Sequence, residues 1–291
     1  MDTDKYKALL SAIETGSLSA AAAELDYTPS GISRAVASLE ESLGFSLLVR
    51  KKSGVLPTEE CQLLLPLFRN LIHTQEQIDQ TAARICGLET GSVTIGTAYS
   101  PYYPVLSRRI MEFQALHPDI SVRLIEGTSS HLCSLLQEQA LDFCIISRRD
   151  GIDTFIPLCE DTICIWVPQS HPAVEMGIYP LQDLANENYI SIHPNMETDN
   201  SRLLAKHHIT PHICASTSDV PAAWTMVAAG MGVTLINRIL SRQWDGPVVT
   251  LPLDTSPSFE IGIAAPVREM QSPAAAELMK FMQKDLIHAF E

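Results

Sequence analysis

The stretch from Leu18 to Arg50, LSAAAAELDYTPSGISRAVASLEESLGFSLLVR, constrains what this chain can fold into more than any other stretch. Its four consecutive alanines predict a short helix whose small side chains let a second helix cross close by. Ser19 is expected to cap that first helix, because a hydroxyl can accept hydrogen bonds from the free amides of a first turn. Asp26 and Tyr27 are expected to form the turn that follows.

A second helix is predicted to begin at Thr28, a capping residue, with Pro29 in the first position, where the missing N–H costs nothing. Apolar side chains recur along one face of this helix at spacings of four, three and four: Ile32, Val36, Leu39 and Leu43. The opposite face carries small and cationic groups: Ser30, Ser33, Arg34 and Ala37. A helix held by its apolar side, with such groups outward, fits the major groove of DNA.

A basic turn follows the second helix and is suited to phosphate contacts. The whole chain has a net charge of −14, but cations outnumber acids between residues 28 and 55. Salt screens charges beyond about 10 Å, so the charge near the docking face matters more than the total. We expect modest affinity for DNA of any sequence, which a dimer with two such faces would raise. The predicted DNA contacts are Ser19, Thr28, Pro29, Ser30, Ser33, Arg34, Arg50, Lys51 and Lys52.

The chain of 291 residues has room for two or more domains, and no apolar run is long enough to span a bilayer. Its first residues are acidic and lack the zones of a signal peptide, so we expect a cytoplasmic protein. Seven cysteines without a CxxC pair indicate reduced, mostly buried thiols. The HHITPHIC segment, 207–214, matches no strong zinc pattern, and no metal or cofactor is predicted.

A long helix is predicted from Thr58 onward, and its apolar side chains recur every 3.5 residues on average. One interpretation is a helix that lies on the core of its own domain. The preferred interpretation is pairing with a second copy, because the stripe is narrow and its flanks are polar. The residues assigned to this dimer contact are Leu64, Phe68, Leu71, Ile78, Ala82 and Ile85. The domain boundaries that follow are 1–58 for the first domain and 59–91 for the linker helix and hinge.

From residue 92 onward, predicted strands alternate with predicted helices. Examples are the alternating strand 92–98, the helical stretch that stops at Pro118, and the doubly apolar run 141–147. This alternation predicts an α/β domain with a mostly parallel, covered sheet over residues 92–291, built as one body or as two lobes.

Together these residues resemble the LysR-type transcriptional regulators. GSLSAAAAELDYTPSGISRAVASLEESLGFSLLVR is similar to the family's helix-turn-helix and wing. LPTEECQLLL is similar to the start of its dimerising helix, and TMVAAGMGVTLIN to part of its effector-binding domain. The resemblance departs at Pro29, where the family usually has Gln, so Ser30, Ser33 and Arg34, or DNA shape, must carry more of the base reading.

The resemblance implies an N-terminal all-α winged helix-turn-helix, a long linker helix and a two-lobed, Rossmann-like domain of the periplasmic-binding-protein type II class. It places the first lobe at about 92–163 and 266–291 and the second at about 164–265. It also implies promoter DNA, a small-molecule effector between the lobes and further copies of the chain as partners, in a homodimer or a dimer of dimers. It admits RNA polymerase as another partner.

In folds of this kind, ligands bind at the carboxyl ends of strands, where backbone amides and helix starts converge. Polar residues at those ends can equally be ordinary helix caps. With Arg148 among them, the sequence favours a polar or anionic small molecule. The predicted effector-binding residues are Tyr99, Ser100, Thr128, Ser129, Ser147, Arg148, Thr198, Ser201, Ser218 and Asp219.

Two other functions compete with a ligand-responsive transcription factor. A solute-binding protein would account for residues 92–291 but leaves 1–58 unexplained. An enzyme on the same scaffold would need a catalytic motif, and the sequence contains no GxSxG, Walker loop or HExxH. We therefore predict a regulator and not an enzyme.

Overall fold

A computed structural model describes residues 3–51, 54–86, 90–255 and 258–290, apart from the side chains of residues 84 and 269. The chain divides into two units, residues 1–91 with 137–140 and residues 92–136 with 141–291. We call them the N-terminal and the C-terminal unit. Within the described ranges, no helix combines the length and apolar character that crossing a bilayer requires.

In its described residues, the N-terminal unit contains four helices and a two-stranded antiparallel hairpin. Its elements are α1 (Asp4–Thr15), α2 (Leu18–Glu24), α3 (Pro29–Leu43), β1 (Leu48–Lys51), β2 (Gly54–Pro57) and α4 (Glu59–Ile85). The hairpin is tied to the end of α1 by a backbone hydrogen bond from Val55 N to Gly16 O, and to α3 by hydrogen bonds from Leu47 N and Leu48 N to the Glu40 carboxylate. This is the predicted three-helix domain with a wing, followed by a long helix.

The core of the N-terminal unit forms where the small residues of α2 let α1 and α3 approach. Ala21 and Ala22 of α2 are buried together with Ile32, Val36 and Leu39 of α3. Burial of such side chains is worth about 25 cal/mol per Å² of apolar surface removed from water. Leu43, predicted on the same face of α3, is 37% exposed, because it lies in the last turn before the cap.

The predicted dimer stripe of α4 divides between two environments. Phe68 is buried in the unit's own core, with its ring 5.1 Å from that of Tyr6, and Leu64 packs against the same core. Burial of Phe68 in this core argues against its predicted place in the dimer contact, whereas Leu64 is only partly buried and its place there stays a prediction. Leu71 is half-buried, whereas Ile78, Ala82 and Ile85 are exposed. The large apolar side chains that are exposed on the described part of α4 define a stripe that overlaps the predicted one, the α4 stripe: Leu63, Leu67, Ile78 and Ile85.

The C-terminal unit alternates strands and helices, as the sequence predicts. Its helices are α5 (Tyr103–Leu116), α6 (Ser129–Gln137), α7 (Ala173–Met176), α8 (Asp199–Lys206), α9 (Val220–Ala228), α10 (Arg238–Ser241) and α11 (Pro273–Ile287). Its strands are β3 (Gly91–Thr97), β4 (Ile120–Glu126), β5 (Phe143–Ser147), β6 (Thr154–Pro168), β7 (Asn188–Ile192), β8 (His212–Thr217), β9 (Thr234–Asn237), β10 (Val248–Pro252) and β11 (Ser258–Ala265).

Strand β6 runs through both lobes of this unit. Its first part pairs antiparallel with β11, and its last part pairs with β9 and β10. The first lobe is built on the sheet order β6-β11-β5-β3-β4, in which β3 and β5 are parallel. The second lobe contains the end of β6 with β9 and β10, and the parallel pair β7-β8. Each lobe has its own buried apolar clusters.

One lobe boundary differs from the expectation. The resemblance places the second lobe at about 164–265, but β11 hydrogen-bonds to β5, and its Ile261 and Ile263 are buried in the first lobe's core. Strand β11 therefore belongs to the first lobe. Its apolar residues alternate like those of a second-lobe strand, so the pattern alone could not assign it.

A buried carboxyl group lies on β6 close to the point where the strand passes between the lobes. Asp161 is 6% exposed, and its Oδ1 accepts a hydrogen bond from Ile239 N at 3.1 Å. Its Oδ2 has no hydrogen-bond partner in the described part of the chain. Burial raises the pKa of Asp161 to about 6, against the lowering effects of the Thr162 and Ile239 amides and of Arg242.

We predict that Asp161→Asn removes a pH dependence of folding. The raised pKa means that the folded chain favours the neutral carboxyl, so wild-type stability from this group is full below about pH 4 and is lost as the pH rises through about 6. A shift of this size corresponds to roughly 3 kcal/mol at pH 7.5. Urea unfolding at pH 4.5, 6 and 7.5 should show that the free energy of unfolding of the variant rises relative to that of the wild type as the pH rises. A constant difference between the two proteins would contradict the prediction.

Candidate functional site

The exposed face of α3 and the wing, which is the β1–β2 hairpin, form one polar and cationic surface. Thr28 caps α3 by accepting a hydrogen bond from Gly31 N at 3.1 Å, and its hydroxyl lies 3.1 Å from that of Ser30. Arg34 is exposed and donates from Nε to Ser30 O at 3.3 Å. The predicted apolar face is turned inward, so these groups point away from the core.

The wing joins this surface through one side-chain hydrogen bond. Arg50 of β1 donates from Nη2 to Ser33 Oγ of α3 at 3.0 Å. Arg50 and Lys51 are both exposed. Lys52, predicted with them, lies outside the described residues. Among the described residues, the helix and the hairpin thus present three cationic side chains, Arg34, Arg50 and Lys51, together with three hydroxyl groups.

One predicted member of this surface has a different place in the helix. Ser19 was expected to cap α2, but the cap is Ser17, whose Oγ accepts from Ala20 N at 3.3 Å. Ser19 is an exposed residue in the first turn of α2. Helix α2 begins at Leu18, so its free first-turn amides face Ser17 and not Ser19. Pro29 occupies the first position of α3, as predicted, and is exposed.

The second site is a cavity of about 480 Å³ in the C-terminal unit. It lies between the two lobes, at the ends of β3 and β9 and at the starts of α6 and α8. Five of the predicted effector-binding residues line it: Tyr99, Thr128, Ser129, Thr198 and Ser218. Several other lining residues are not among the predicted effector-binding residues: Glu126, His131, His193, Asp199, Asn200 and Asn237.

Five predicted residues do not line the cavity. Ser147 is buried, and Ser201 is engaged in a reciprocal cap with Thr198. Ser100 starts a short 3₁₀ helix, and Asp219 is exposed at the cap position of α9.

Arg148 points away from the cavity. It donates to Glu260 at 2.7 Å and lies 4.2 Å over the Phe155 ring. Successive residues at a strand end face opposite ways, so the neighbouring Arg149 turns inward instead. Arg149, and not Arg148, is the arginine in contact with residues of the cleft.

The Asp199 carboxylate is the centre of the hydrogen bonding between the lobes. Its Oδ1 accepts from Ser147 Oγ and from Arg149 Nη2, each at 2.7 Å. Its Oδ2 accepts from the Tyr99 hydroxyl at 2.8 Å and from Asn237 Nδ2 at 3.2 Å. Burial favours the neutral form of Asp199, but the charge of Arg149 and these hydrogen bonds outweigh it and lower its pKa. Asp199 is therefore an ionised carboxylate with four donors.

One lining atom lacks a partner. Asn200 donates from Nδ2 to Leu235 O at 2.8 Å, whereas its Oδ1 is buried with no hydrogen-bond partner in the described residues. A buried acceptor without a donor is costly, and such atoms need an explanation such as a bound water or ligand. Among the described residues, no group of three or more His, Cys, Asp and Glu is arranged to hold a metal ion.

A helix-turn-helix domain with a basic wing, in one chain with a two-lobed domain that encloses a polar cleft, defines a DNA-binding regulator with a ligand-binding domain. The family model described as "LysR substrate binding domain" matches residues 87–286, and "Bacterial regulatory helix-turn-helix protein, lysR family" matches residues 3–62. The chain therefore belongs to the LysR family of transcriptional regulators, with a DNA-binding domain and an effector-binding domain. The predicted family, fold class and regulator function are confirmed.

Relatives and solved structures agree with this assignment. The uncharacterized HTH-type transcriptional regulator YvbU of Bacillus subtilis is 25% identical over 99% of this chain and 100% of its own length. Full-length OxyR from Pseudomonas aeruginosa has a TM-score of 0.67 at 18% identity, over 98% of this chain and 94% of that one. CbnR in complex with its target DNA has a TM-score of 0.59 at 19% identity, over 98% and 99%. These two structures confirm the fold.

Proposed function

We propose that this protein binds promoter DNA through the α3 and wing surface, and that a small polar molecule in the cleft controls that binding. The proposal that this surface binds DNA rests on the exposure of Arg34 on α3 and of Arg50 on β1, both beside hydroxyl groups. In this arrangement α3 enters the major groove, and the wing contacts the phosphate backbone. We assign Ser30, Ser33 and Arg34 to base edges and Thr28, Arg50, Lys51 and Lys52 to phosphates.

The α4 stripe supports self-association. Leu63 and Ile85 are 80% and 82% exposed, and both lie on the helix that follows the DNA-binding domain. An exposed apolar stripe on a long helix is the kind of surface that a second copy covers in a two-helix contact. A homodimer of this kind would present two α3 helices to two half-sites, which offsets the low affinity expected from an acidic chain.

The cleft supports a ligand that donates hydrogen bonds. Asn200 Oδ1 offers an acceptor, and the cavity walls add the side chains of Thr128, Ser218 and His193. Apolar atoms of Ile192, Ile236 and Leu240 complete the lining. A cavity of about 480 Å³ is in the range of small-molecule sites. We infer a small polar or anionic metabolite as the effector.

The remaining expectations are proposals of the same kind. A regulator of this family works without catalysis, which agrees with the absence of a catalytic motif from the sequence, so we propose that the protein is not an enzyme. We also propose a cytoplasmic location, contact with RNA polymerase at its promoters, and the domain division 1–58, 59–91 and 92–291. The solute-binding alternative does not explain an N-terminal unit with an exposed Arg34 and wing.

The experiment that tests this function is a footprint on the DNA upstream of the gene, with and without a metabolite library. Protection of a site there, altered by one metabolite, would support the proposal. Absence of protection at low salt, where phosphate contacts are strongest, would contradict it. Intrinsic fluorescence provides a parallel ligand screen, because Trp224 follows the cavity-lining Val220 on α9.

For the metabolite that this screen identifies, we predict that Asn200→Ala weakens binding about fivefold or more. The variant removes the acceptor that a ligand N–H or O–H would satisfy, and one such hydrogen bond is worth about 1 kcal/mol or more in a buried site. Titration by tryptophan fluorescence measures the effect. Gln243→Ala, an exposed change in the same lobe, is the control and should bind like the wild type. Equal affinity of the Asn200 variant and the control would contradict the assignment.

A further inference from the structure

Three donors of the first lobe converge on one point at the strand ends. Tyr99 follows β3, Ser147 ends β5 and Arg149 comes two residues later. The guanidinium is held in place independently of Asp199, because its Nε donates to Ser130 Oγ at 3.0 Å and its Nη1 to Ser147 Oγ at 2.6 Å. Two hydroxyls and a fixed guanidinium that point to the same position form a site for a carboxylate.

The carboxylate in this site comes from the other lobe. Asp199 is the first residue of α8, and Asn237 of β9 is its donor from its own lobe. The side chains of Arg149 and Asp199 are 7% and 12% exposed. A buried ion pair is stable only when hydrogen bonds satisfy its remaining polar atoms. Here both carboxylate oxygens accept two bonds each, so the pair ties α8 to the first lobe.

We infer that Asp199 acts as an internal ligand of the first lobe, and that a small molecule bearing a carboxylate competes with it for Tyr99, Ser147 and Arg149. Asp199 and Tyr99 line the cavity, and Asp199 and Arg149 line a neighbouring cavity of about 500 Å³, so a ligand carboxylate can approach these donors once Asp199 moves away. This inference rests on the proposed function in that the competing molecule would be the effector. Displacement of Asp199 would free the start of α8 and with it the contact between the lobes.

The tether sets what a competing ligand must be. A side chain fixed beside its site competes at an effective concentration of about millimolar or above. A simple monocarboxylate therefore cannot displace it at micromolar levels. The effector must combine a carboxylate with a body that gains further contacts in the cavity, for example with Asn200 and Thr128.

The test removes the internal carboxylate and supplies a free one. Asp199→Ala should lower the unfolding midpoint by roughly 5–15 °C, because Arg149 keeps a buried charge without its partner. Sodium acetate should then restore at least half of that loss with a saturable, millimolar dependence. Sodium chloride of equal ionic strength and acetamide should not, since neither is a carboxylate. The wild type and the exposed control Asp183→Ala should respond to acetate no more than to chloride.

Two outcomes would overturn the inference: an Asp199→Ala midpoint equal to that of the wild type, or a variant that acetate stabilises no more than chloride does. Stabilisation by phosphate but not by acetate would also overturn it, because the site would then select a tetrahedral anion. The midpoint is followed by fluorescence of Trp166, Trp224 and Trp244, whose rings lie 5.7 and 6.1 Å apart in the second lobe.

A second variant guards against a failure of Asp199→Ala to fold. Asp199→Asn keeps the volume and hydrogen bonding of the side chain but loses the charge. We expect a lowered midpoint that acetate does not restore, because the amide still fills the site. If acetate stabilises Asp199→Asn by as much as it is expected to stabilise the alanine variant, it acts elsewhere and the inference is wrong.

Binding of a labelled promoter fragment separates this inference from the proposed function. Rescue by acetate in a protein that binds no promoter DNA would leave the role of Asp199 standing and contradict the proposed function. Promoter binding without acetate rescue would contradict the role of Asp199 alone.

Discussion

Leu67→Asp is expected to convert the protein to a monomer and to weaken its binding to a promoter fragment with two half-sites by at least roughly 100-fold. Leu67 is 62% exposed and lies in the α4 stripe one turn after Leu63, so a carboxylate there would be buried at the proposed contact between two copies. A charge without a partner in such a contact costs several kcal/mol. The loss of one half-site removes the gain in affinity from simultaneous binding.

Sedimentation equilibrium measures the mass of the variant, and fluorescence anisotropy measures its DNA affinity. Gln62→Asp is the matched control, because it adds the same charge on the same helix, about 100° around the axis from Leu63. The control should remain a dimer and bind DNA like the wild type. A Leu67→Asp protein that stays dimeric, with unchanged affinity, would show that the α4 stripe is not the contact.

The prediction for α4 illustrates what a repeating pattern can and cannot decide. The 3.5-residue period correctly indicates a helix with apolar residues on a restricted arc. The stripe drawn from it, however, runs between two faces, one packed on Tyr6 of the same unit and one exposed. Period alone gives no reference direction, so Phe68 and Leu64 could not be separated from Ile78 and Ile85 without the position of α1.

Most of the fold could be predicted because apolar residues recur with a clear period along its strands and its helices. Three strand segments, 154–161, 212–217 and 248–252, could not be predicted from the sequence, and local reasons explain the first two. The first contains Pro157, which pairs with Gly262 where the register between β6 and β11 shifts. Strand β8 presents mostly exposed side chains, so its sequence lacks the buried half of the pattern. A strand of this kind is fixed by its neighbour and not by its own composition.

The cleft could be predicted in position but not in detail. Strand-end reasoning located Tyr99, Thr128 and Ser218 in the lining, because the ends of neighbouring strands meet. It could not identify the central role of Asp199, whose partners Tyr99 and Ser147 are 100 and 52 residues away in sequence. Nor could it choose between Arg148 and Arg149. The direction of a side chain just beyond a strand depends on backbone geometry that composition does not encode.

Replacement of Arg34 by alanine is expected to lower affinity for the cognate site by roughly 10- to 100-fold, and to lower affinity for unrelated DNA much less. Arg34 lies on the exposed face of α3, where its Nε donates to Ser30 O on the helix surface that we propose enters the groove. Arg50→Ala should behave differently. A phosphate contact carries no sequence information, so its loss should weaken cognate and unrelated DNA about equally.

The salt dependence of binding separates the two roles. Loss of one phosphate contact per protomer should reduce the slope of log affinity against log salt by about two for a dimer. We expect this change for Arg50→Ala and little change of slope for Arg34→Ala if Arg34 reads a base. Arg50→Lys should keep most of the slope, because it retains the charge while losing the bond to Ser33. Lys280→Ala, an exposed cation of the C-terminal unit, is the control. If Arg34→Ala and Arg50→Ala change cognate and unrelated binding alike, with equal slopes, α3 does not read the sequence.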